Sequence, residues 1–74
     1  EHPLAPREVR MLKFLAEHAG ESIAREAFID FLWDGEYAGT TRSIDQAIWR
    51  LREKLGTDGR KIKTVHGAGY AYRP

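Results

Sequence analysis

The sequence predicts a mostly α-helical domain in which three helices precede a small C-terminal β-hairpin. Three observations support this fold class. Apolar residues recur at steps of three and four in the segments that we assign to helices. Glycines follow the first and third of these segments, where a helix commonly ends. Beyond the third segment, two runs rich in β-branched and aromatic residues flank a turn that contains glycines.

The first helix is predicted over residues 6–18. Pro6 suits the first helical position, because its missing N–H would have no partner there. Glu8 places a negative charge near the positive end of the helix dipole. Gly20 is expected to end the segment. The predicted apolar stripe, with Met11 beside it, consists of Val9, Leu12, Leu15 and Ala16.

The second helix is shorter and is predicted from about Ala24 to Trp33. Asp34-Gly35 breaks it, and residues 36–41 form a loop. Its expected buried side chains are Phe28, Ile29, Leu32 and Trp33.

The third helix has the clearest pattern. Thr41 or Ser43 can cap it, and it runs to Leu55, with Gly56 as the stop. At about 100° per residue, one side holds Ile44, Ile48, Leu51 and Leu55. The opposite side holds Gln46, Trp49, Arg50 and Glu53, flanked by Arg42, Arg52 and Lys54.

The hairpin is predicted over residues 61–73, after a turn at residues 57–59. Alternation places Tyr70 and Tyr72 on one face, and Lys61 and Lys63 on the face opposite Ile62. The order of elements therefore predicts a winged helix-turn-helix, with residues 43–55 as the recognition helix and the hairpin as the wing.

Length and composition narrow the classes of function. We expect residues 1–74 to form a single domain with an ordinary globular balance of 42% hydrophobic and 31% charged residues. The absence of cysteine excludes disulfides and thiolate chemistry. The three histidines are dispersed, no nucleophile motif is present, and no apolar run approaches a membrane span. We therefore expect no enzyme, cofactor, metal site or membrane segment.

Charge is distributed unevenly along the chain. The formal net charge is +1, but residues 1–40 carry −4 and residues 41–74 carry +5. This asymmetry predicts an acidic face and a basic face, and nucleic acid is the obvious ligand of the basic one. An unevenly charged but merely solvated surface is the alternative that charge alone leaves open.

Four groups of residues carry a resemblance to a known family. They are Leu4-Ala5-Pro6-Arg7-Glu8; Ala24-Arg25-Glu26 with Leu32-Trp33; Arg42-Ser43-Ile44-Asp45 with Ile48, Arg50-Leu51-Arg52 and Lys54-Leu55; and Ile62, Thr64-Val65, Gly67, Gly69 and Tyr70. Together, over residues 4–73, they resemble the C-terminal effector domain of OmpR/PhoB-type response regulators.

The resemblance implies sequence-specific binding of double-stranded DNA by a bacterial transcription regulator in the cytoplasm, associated with the nucleoid when bound. The third helix would enter the major groove, and the wing would reach the minor groove through His66. The resemblance implies a DNA contact from Arg50. Because Gln46 and Trp49 share the predicted exposed side of the helix, we expect base contacts from all three. The resemblance implies phosphate contacts from Trp33, Arg42, Arg52 and Thr64, and the basic side chains of Lys54 and Lys63 are expected to hold phosphates as well.

The resemblance also implies partners other than DNA. The loop after the second helix, with Asp34, Glu36 and Tyr37, would contact an RNA polymerase subunit or another partner, and a solvated acidic face is the alternative. We expect a dimer or tandem arrangement on DNA. Because the chain begins with Glu1 rather than Met, we expect it to be part of a longer regulator.

Four features depart from the family pattern. His66 replaces an arginine of the wing, and Trp49 replaces a polar or basic residue. Ala5 and Ala24 replace the Thr and Ser that cap helices, at a cost of about 1 kcal/mol each. The N-terminal sheet of the family has no counterpart in this sequence.

Three of these departures, Trp49, His66 and the missing sheet, support a second hypothesis, a winged-helix protein–protein interaction module with weak or no DNA binding. Individual side chains also have simpler interpretations. Arg50 can pair with Glu53 or Asp45, Trp49 can turn back towards the core, and Gln46 is unremarkable on an exposed helix.

Overall fold

The computed structural model describes residues 3–33 and 40–74, and Trp33 only by its backbone. It confirms three helices followed by a two-stranded hairpin. The elements are α1 (Pro6–Glu17), α2 (Arg25–Trp33), α3 (Thr41–Leu55), a 3₁₀ helix (Gly56–Lys61), β1 (Ile62–Val65) and β2 (Gly69–Tyr72). We call β1, β2 and the turn that joins them the wing.

The buried side of α3 lies where its periodicity predicts. Ile44, Ile48 and Leu51 are fully buried, and Leu55 is half-buried at the edge of the core. The prediction that Thr41 or Ser43 caps α3 was wrong. The cap is Thr40, which has extended backbone angles and whose Oγ1 accepts a hydrogen bond from the Ser43 amide at 3.3 Å. The side chain of the residue just before a helix is the one that can accept a hydrogen bond from the amide of the third helical residue.

The buried side of α1 is centred on Met11 and Leu15. Leu15 of the predicted stripe is therefore confirmed as buried, and Leu12 packs against the core while partly exposed. Val9 is 41% exposed, and Ala16 is also exposed. At about 100° per residue, Val9 lies roughly 200° around the helix from Met11. The short stripe therefore predicted the helix and part of its buried side, but it wrongly included Val9 and Ala16 and left Met11 at its edge.

The core lies between the three helices and one face of the wing. Phe28 and Leu32 of α2 pack with the buried residues of α1 and α3, and Ile62 and Tyr70 close the core from the wing. Phe14 of α1 meets the ring of Phe28 edge-on, with centroids 5.4 Å apart. Packing of this kind fixes the orientation of α3, because its whole apolar side is used.

The wing is antiparallel and has a third backbone partner. Ile62 pairs with Tyr72, and Thr64 pairs with Tyr70. On the other edge of β2, the backbone of Tyr70 exchanges two hydrogen bonds with Ile23, at 2.7 and 3.0 Å. Gly69 makes this approach possible, since its φ is 142° and a Cβ there would overlap the Ile23 carbonyl oxygen. No other strand pairing occurs in residues 3–33 and 40–74.

Candidate nucleic-acid interface

The solvent-facing side of α3 is polar, basic and aromatic. Arg42, Gln46, Trp49 and Arg50 are all exposed, and Trp49 is exposed by 62%. Trp49 therefore does not turn back towards the core. Because the opposite side of α3 is fully packed, this side is presented on a rigid helix, which a surface that reads a second molecule requires.

The wing presents a second exposed group of residues beside α3. Lys63 lies on the face opposite Ile62, as its register predicts. Thr64 and His66 are also exposed, with His66 in the turn that joins the strands. A cleft lies between α3, the start of α2 and the wing, and Arg25, Asp45, Thr64 and His66 are among the residues that line it.

Arg52 connects α3 to the wing. Its Nε and Nη2 both donate to the Ile62 carbonyl oxygen, at 3.0 and 2.8 Å, and Nη2 also donates to Thr64 Oγ1 at 3.0 Å. The guanidinium lies 5.5 Å from the centre of the Tyr70 ring. The phosphate contact expected of Arg52 stays a prediction. The contacts of Arg52 with the wing could not be predicted from helical periodicity alone.

Lys54 connects α3 to α1. Its Nζ lies 2.8 Å from Oε1 of Glu8, and the same oxygen accepts the Ala5 amide at 2.7 Å. Burial of Glu8 opposes its ionisation, but the hydrogen bonds from Lys54 and Ala5 and the positive charges of Lys54 and Arg50 outweigh it and lower the pKa. The phosphate role expected of Lys54 stays a prediction. In this structure the ammonium group of Lys54 is paired with Glu8.

Asp45 joins α2, α3 and the wing. Its carboxylate accepts a hydrogen bond from Arg25 at 2.9 Å and one from the Tyr70 hydroxyl at 2.6 Å. Asp45 therefore pairs with Arg25 rather than with Arg50. Burial, the hydrogen bond to Asp45 and the charge of Asp45 raise the pKa of Tyr70 to about 12, against the opposing charges of Arg52 and Arg25. Arg25 and Asp45 both belong to the motifs quoted above, but nothing in their sequence spacing links them to Tyr70.

Several predicted contact residues lie outside the described part of the chain. They are Asp34, Glu36 and Tyr37 of the loop, and the side chain of Trp33. Their predicted contacts with a partner protein and with phosphate stay predictions.

The described residues offer no metal site and no membrane helix. Among them, no three His, Asp or Glu side chains are grouped closely enough to hold a metal ion. None of their helices combines the length and the apolar character needed to cross a bilayer.

Three helices, a C-terminal wing and an outward-facing basic side on the third helix define a winged-helix domain. The family model described as "Transcriptional regulatory protein, C terminal" matches residues 1–72. The chain belongs to this family, and the resemblance to OmpR/PhoB-type effector domains is confirmed.

Characterised relatives agree with this assignment. The chain is 36% identical over 70 residues to the alkaline phosphatase synthesis transcriptional regulatory protein PhoP of Bacillus subtilis, covering 90% of this chain and 29% of PhoP. It is 39% identical over 77 residues to the transcriptional regulatory protein RstA of Escherichia coli, covering all of this chain and 32% of RstA. The chain thus spans about a third of the length of these relatives.

Solved structures share the fold. The DNA-binding domain of Klebsiella pneumoniae RstA, solved in complex with the RstA box, superimposes with a TM-score of 0.82 at 40% identity, over 97% of this chain and 74% of that one. The response regulator DrrB of Thermotoga maritima, an OmpR/PhoB homologue, gives 0.86 at 35% identity, over 97% of this chain and 34% of DrrB. The alternative of a protein-interaction module gains no support from these relatives.

Proposed function

We propose that this chain is the sequence-specific, double-stranded DNA-binding domain of a bacterial transcription regulator. The observation that carries the proposal is the exposed side of α3, where Arg42, Gln46, Trp49 and Arg50 face solvent from a helix whose other side packs in the core. An α-helix fits the major groove of B-DNA. The RstA domain, a close match in fold and sequence, was solved with DNA, which supports the same ligand here.

The proposed division of roles follows from exposure. Arg50 pairs with guanine through O6 and N7, Gln46 reads adenine, and Trp49 packs on an apolar base edge. Arg42 at the start of α3 and Lys63 on the wing hold phosphates, together with the Thr64 hydroxyl. His66 in the wing turn lies at the neighbouring minor groove.

We further propose that binding is completed by a second copy and by the rest of a longer regulator. The small net charge of +1 supports this, because it limits the sequence-independent attraction to phosphate. Two copies on adjacent half-sites would supply the missing affinity. The loop with Asp34, Glu36 and Tyr37 would contact an RNA polymerase subunit, as the family resemblance suggests. The protein would act in the cytoplasm, at the nucleoid when bound.

A salt series tests the proposed function. Fluorescence anisotropy with a labelled random-sequence duplex should give a binding constant that falls as salt rises, with a slope in log K of about −0.9 for each phosphate contacted. Arg42→Ala should make the slope shallower by about 0.9. Ala19→Asp, which removes a similar amount of charge outside the proposed interface, is the control. Binding that is absent or independent of salt would contradict the proposal.

A further inference from the structure

We propose that Arg52 is a positioning residue that holds the wing at a fixed orientation to α3, so that helix and wing enter adjacent grooves together. The inference rests on the proposed DNA-binding function and assigns Arg52 a different role from the phosphate contact expected of it. It starts from three hydrogen bonds from one guanidinium to β1.

The Ile62 carbonyl that Arg52 binds lies on the outer edge of the wing. The neighbouring Lys61 carbonyl accepts a hydrogen bond from the amide of Arg73, the residue after β2. The Lys61 carbonyl therefore points towards the β2 side of the hairpin. Successive carbonyls along a strand point to opposite sides. The Ile62 carbonyl therefore points away from β2, and Arg52 supplies the donor that this strand edge lacks.

The other edge of the wing is fastened differently. There the backbone of Tyr70 pairs with Ile23, and the Tyr70 hydroxyl donates to Asp45 of α3. The wing is thus held on both edges, and Arg52 donates the hydrogen bonds from α3 to β1, the strand that carries Lys63 and Thr64. If this contact loosens, the phosphate-binding residues of the wing lose their fixed distance from α3.

Only arginine fits this site. The planar guanidinium presents Nε and Nη2 side by side, and both point at one carbonyl oxygen. A lysine ammonium keeps the charge but cannot reproduce this fork. Arg52→Lys therefore separates the positioning role from the charge, and Arg50→Lys is the matched control on the exposed side of the same helix.

The first readout needs no DNA. Hydrogen exchange of the β1 and β2 amides in the free protein should be faster in Arg52→Lys than in wild type, and unchanged in Arg50→Lys. Thr64→Val, which removes one of the three hydrogen bonds, should give a smaller change in the same direction. Unchanged exchange of the wing amides in Arg52→Lys would overturn the proposal even if the protein binds DNA as expected.

The second readout is a double-mutant cycle in DNA affinity, measured with a duplex recovered by selection from random DNA. Arg52→Lys should bind about tenfold more weakly. Lys63→Ala should cost clearly less affinity in the Arg52→Lys protein than in wild type, because the wing is no longer held in place. In the Arg50→Lys protein it should cost the same as in wild type. Full additivity of Arg52→Lys and Lys63→Ala would overturn the positioning role.

The two readouts separate the two claims. If wild type binds no duplex, the proposed function fails, and the exchange measurement alone then decides whether Arg52 positions the wing. If wild type binds DNA but the losses of affinity from Arg52→Lys and Lys63→Ala are additive, the proposed function stands and Arg52 is an ordinary contact.

Discussion

Trp49 is the most unusual side chain of α3, because an indole exposed by 62% interrupts a polar helix side. The thymine methyl is the apolar group that base pairs present in the major groove. At the centre of the proposed interface, Trp49 can cover such a methyl and remove it from water. It would then select thymine at one position of the site.

Removing a single methyl from the DNA tests this role. Replacing each thymine of a selected duplex with deoxyuridine in turn should, at one position, lower wild-type affinity about fourfold, the value of one buried methyl group. Trp49→Ala should bind more weakly and show no response at that position. Gln46→Ala should keep the response. A wild-type protein that ignores every substitution would exclude a thymine contact by Trp49.

His66 occupies the wing turn, where the family has arginine. A guanidinium is always charged and presents a fork of donors that fits phosphate, which an imidazole cannot reproduce. His66→Arg should therefore tighten binding to a random duplex and steepen the salt slope by about 0.9, as one further phosphate contact requires.

Ala19→Arg is the matched control for this prediction. It adds the same charge at an exposed position in the connection between α1 and α2, outside the proposed interface. An equal gain from both variants would show that net charge, and not the wing turn, sets the affinity.

At the scale of elements, α1 is attached to α3 through Glu8. Ala5 has no side chain that can cap α1, but its own amide donates a hydrogen bond to the Glu8 carboxylate. The same carboxylate accepts a hydrogen bond from Lys54 of α3. The loss expected from Ala5 is thus partly offset by a residue of the same first turn.

The lowered pKa of Glu8 predicts how this contact depends on pH. A carboxyl with a lowered pKa in the folded state contributes stability above its ordinary value of 4.5, and this contribution is lost as pH falls through the lowered value. Glu8→Gln should reduce the free energy of unfolding by about 1 kcal/mol at pH 7 and by much less at pH 2. Denaturant unfolding at both pH values measures this, with the exposed Glu17→Gln as control. A loss that persists undiminished in acid would rule out the ionic contribution.

Gly69 limits how the wing attaches to the rest of the fold. Any side chain there would meet the Ile23 carbonyl, and the positive φ adds strain. Gly69→Ala should destabilise the protein by about 2–4 kcal/mol. Gly67 also has a positive φ, of 79°, but open space around it, so Gly67→Ala should cost less. Thermal unfolding of both variants measures the difference, and equal losses would mean that the approach to Ile23 is unimportant.

The sequence predicts these elements unevenly. The apolar steps of α3 identify both its buried and its exposed side, because fifteen residues average out local exceptions. In α1 only part of the predicted stripe is buried, since Leu15 faces the core together with the flanking Met11, whereas Val9 is exposed. The inward turn of Arg52 could not be predicted, because a long side chain at a helix flank takes the partner that tertiary packing brings near, here a strand ten residues on.

At the scale of the whole molecule, Tyr70 links the wing to the helical core. Its hydroxyl donates a hydrogen bond to the Asp45 carboxylate, which also accepts one from Arg25. One hydrogen-bond network therefore joins α2, α3 and the wing. With a pKa of about 12 in the folded state and 10.0 in the unfolded state, the protonated hydroxyl stabilises the fold fully below pH 10. That stability is lost as pH rises to about 12.

Tyr70→Phe tests the network. It should lower the free energy of unfolding by about 1–2 kcal/mol at pH 7. It should also flatten the fall in stability between pH 10 and 12 that wild type shows. Tyr72→Phe, in the same strand, should retain that fall. A Tyr70→Phe protein with an unchanged alkaline profile would place the titrating group elsewhere.

The charge distribution gives the molecule two unlike parts. The exposed side of α3 and the wing lie within residues 41–74, which carry +5, whereas residues 1–40 carry −4. The net charge of +1 is therefore the sum of an acidic part and a basic part of the chain. Non-specific affinity should be modest, and discrimination between DNA sequences should depend on base contacts.

The central claim, that the exposed side of α3 reads base sequence, is tested most directly through Arg50. Affinities of wild type and Arg50→Ala should be compared on a duplex selected by the wild-type protein and on random duplex of equal length. Arg50→Ala should lose about 1–3 kcal/mol on the selected duplex and much less on random DNA, because a bidentate contact to guanine is available only at the specific site. An equal loss on both duplexes would show that Arg50 contacts phosphate and would contradict sequence reading by this residue.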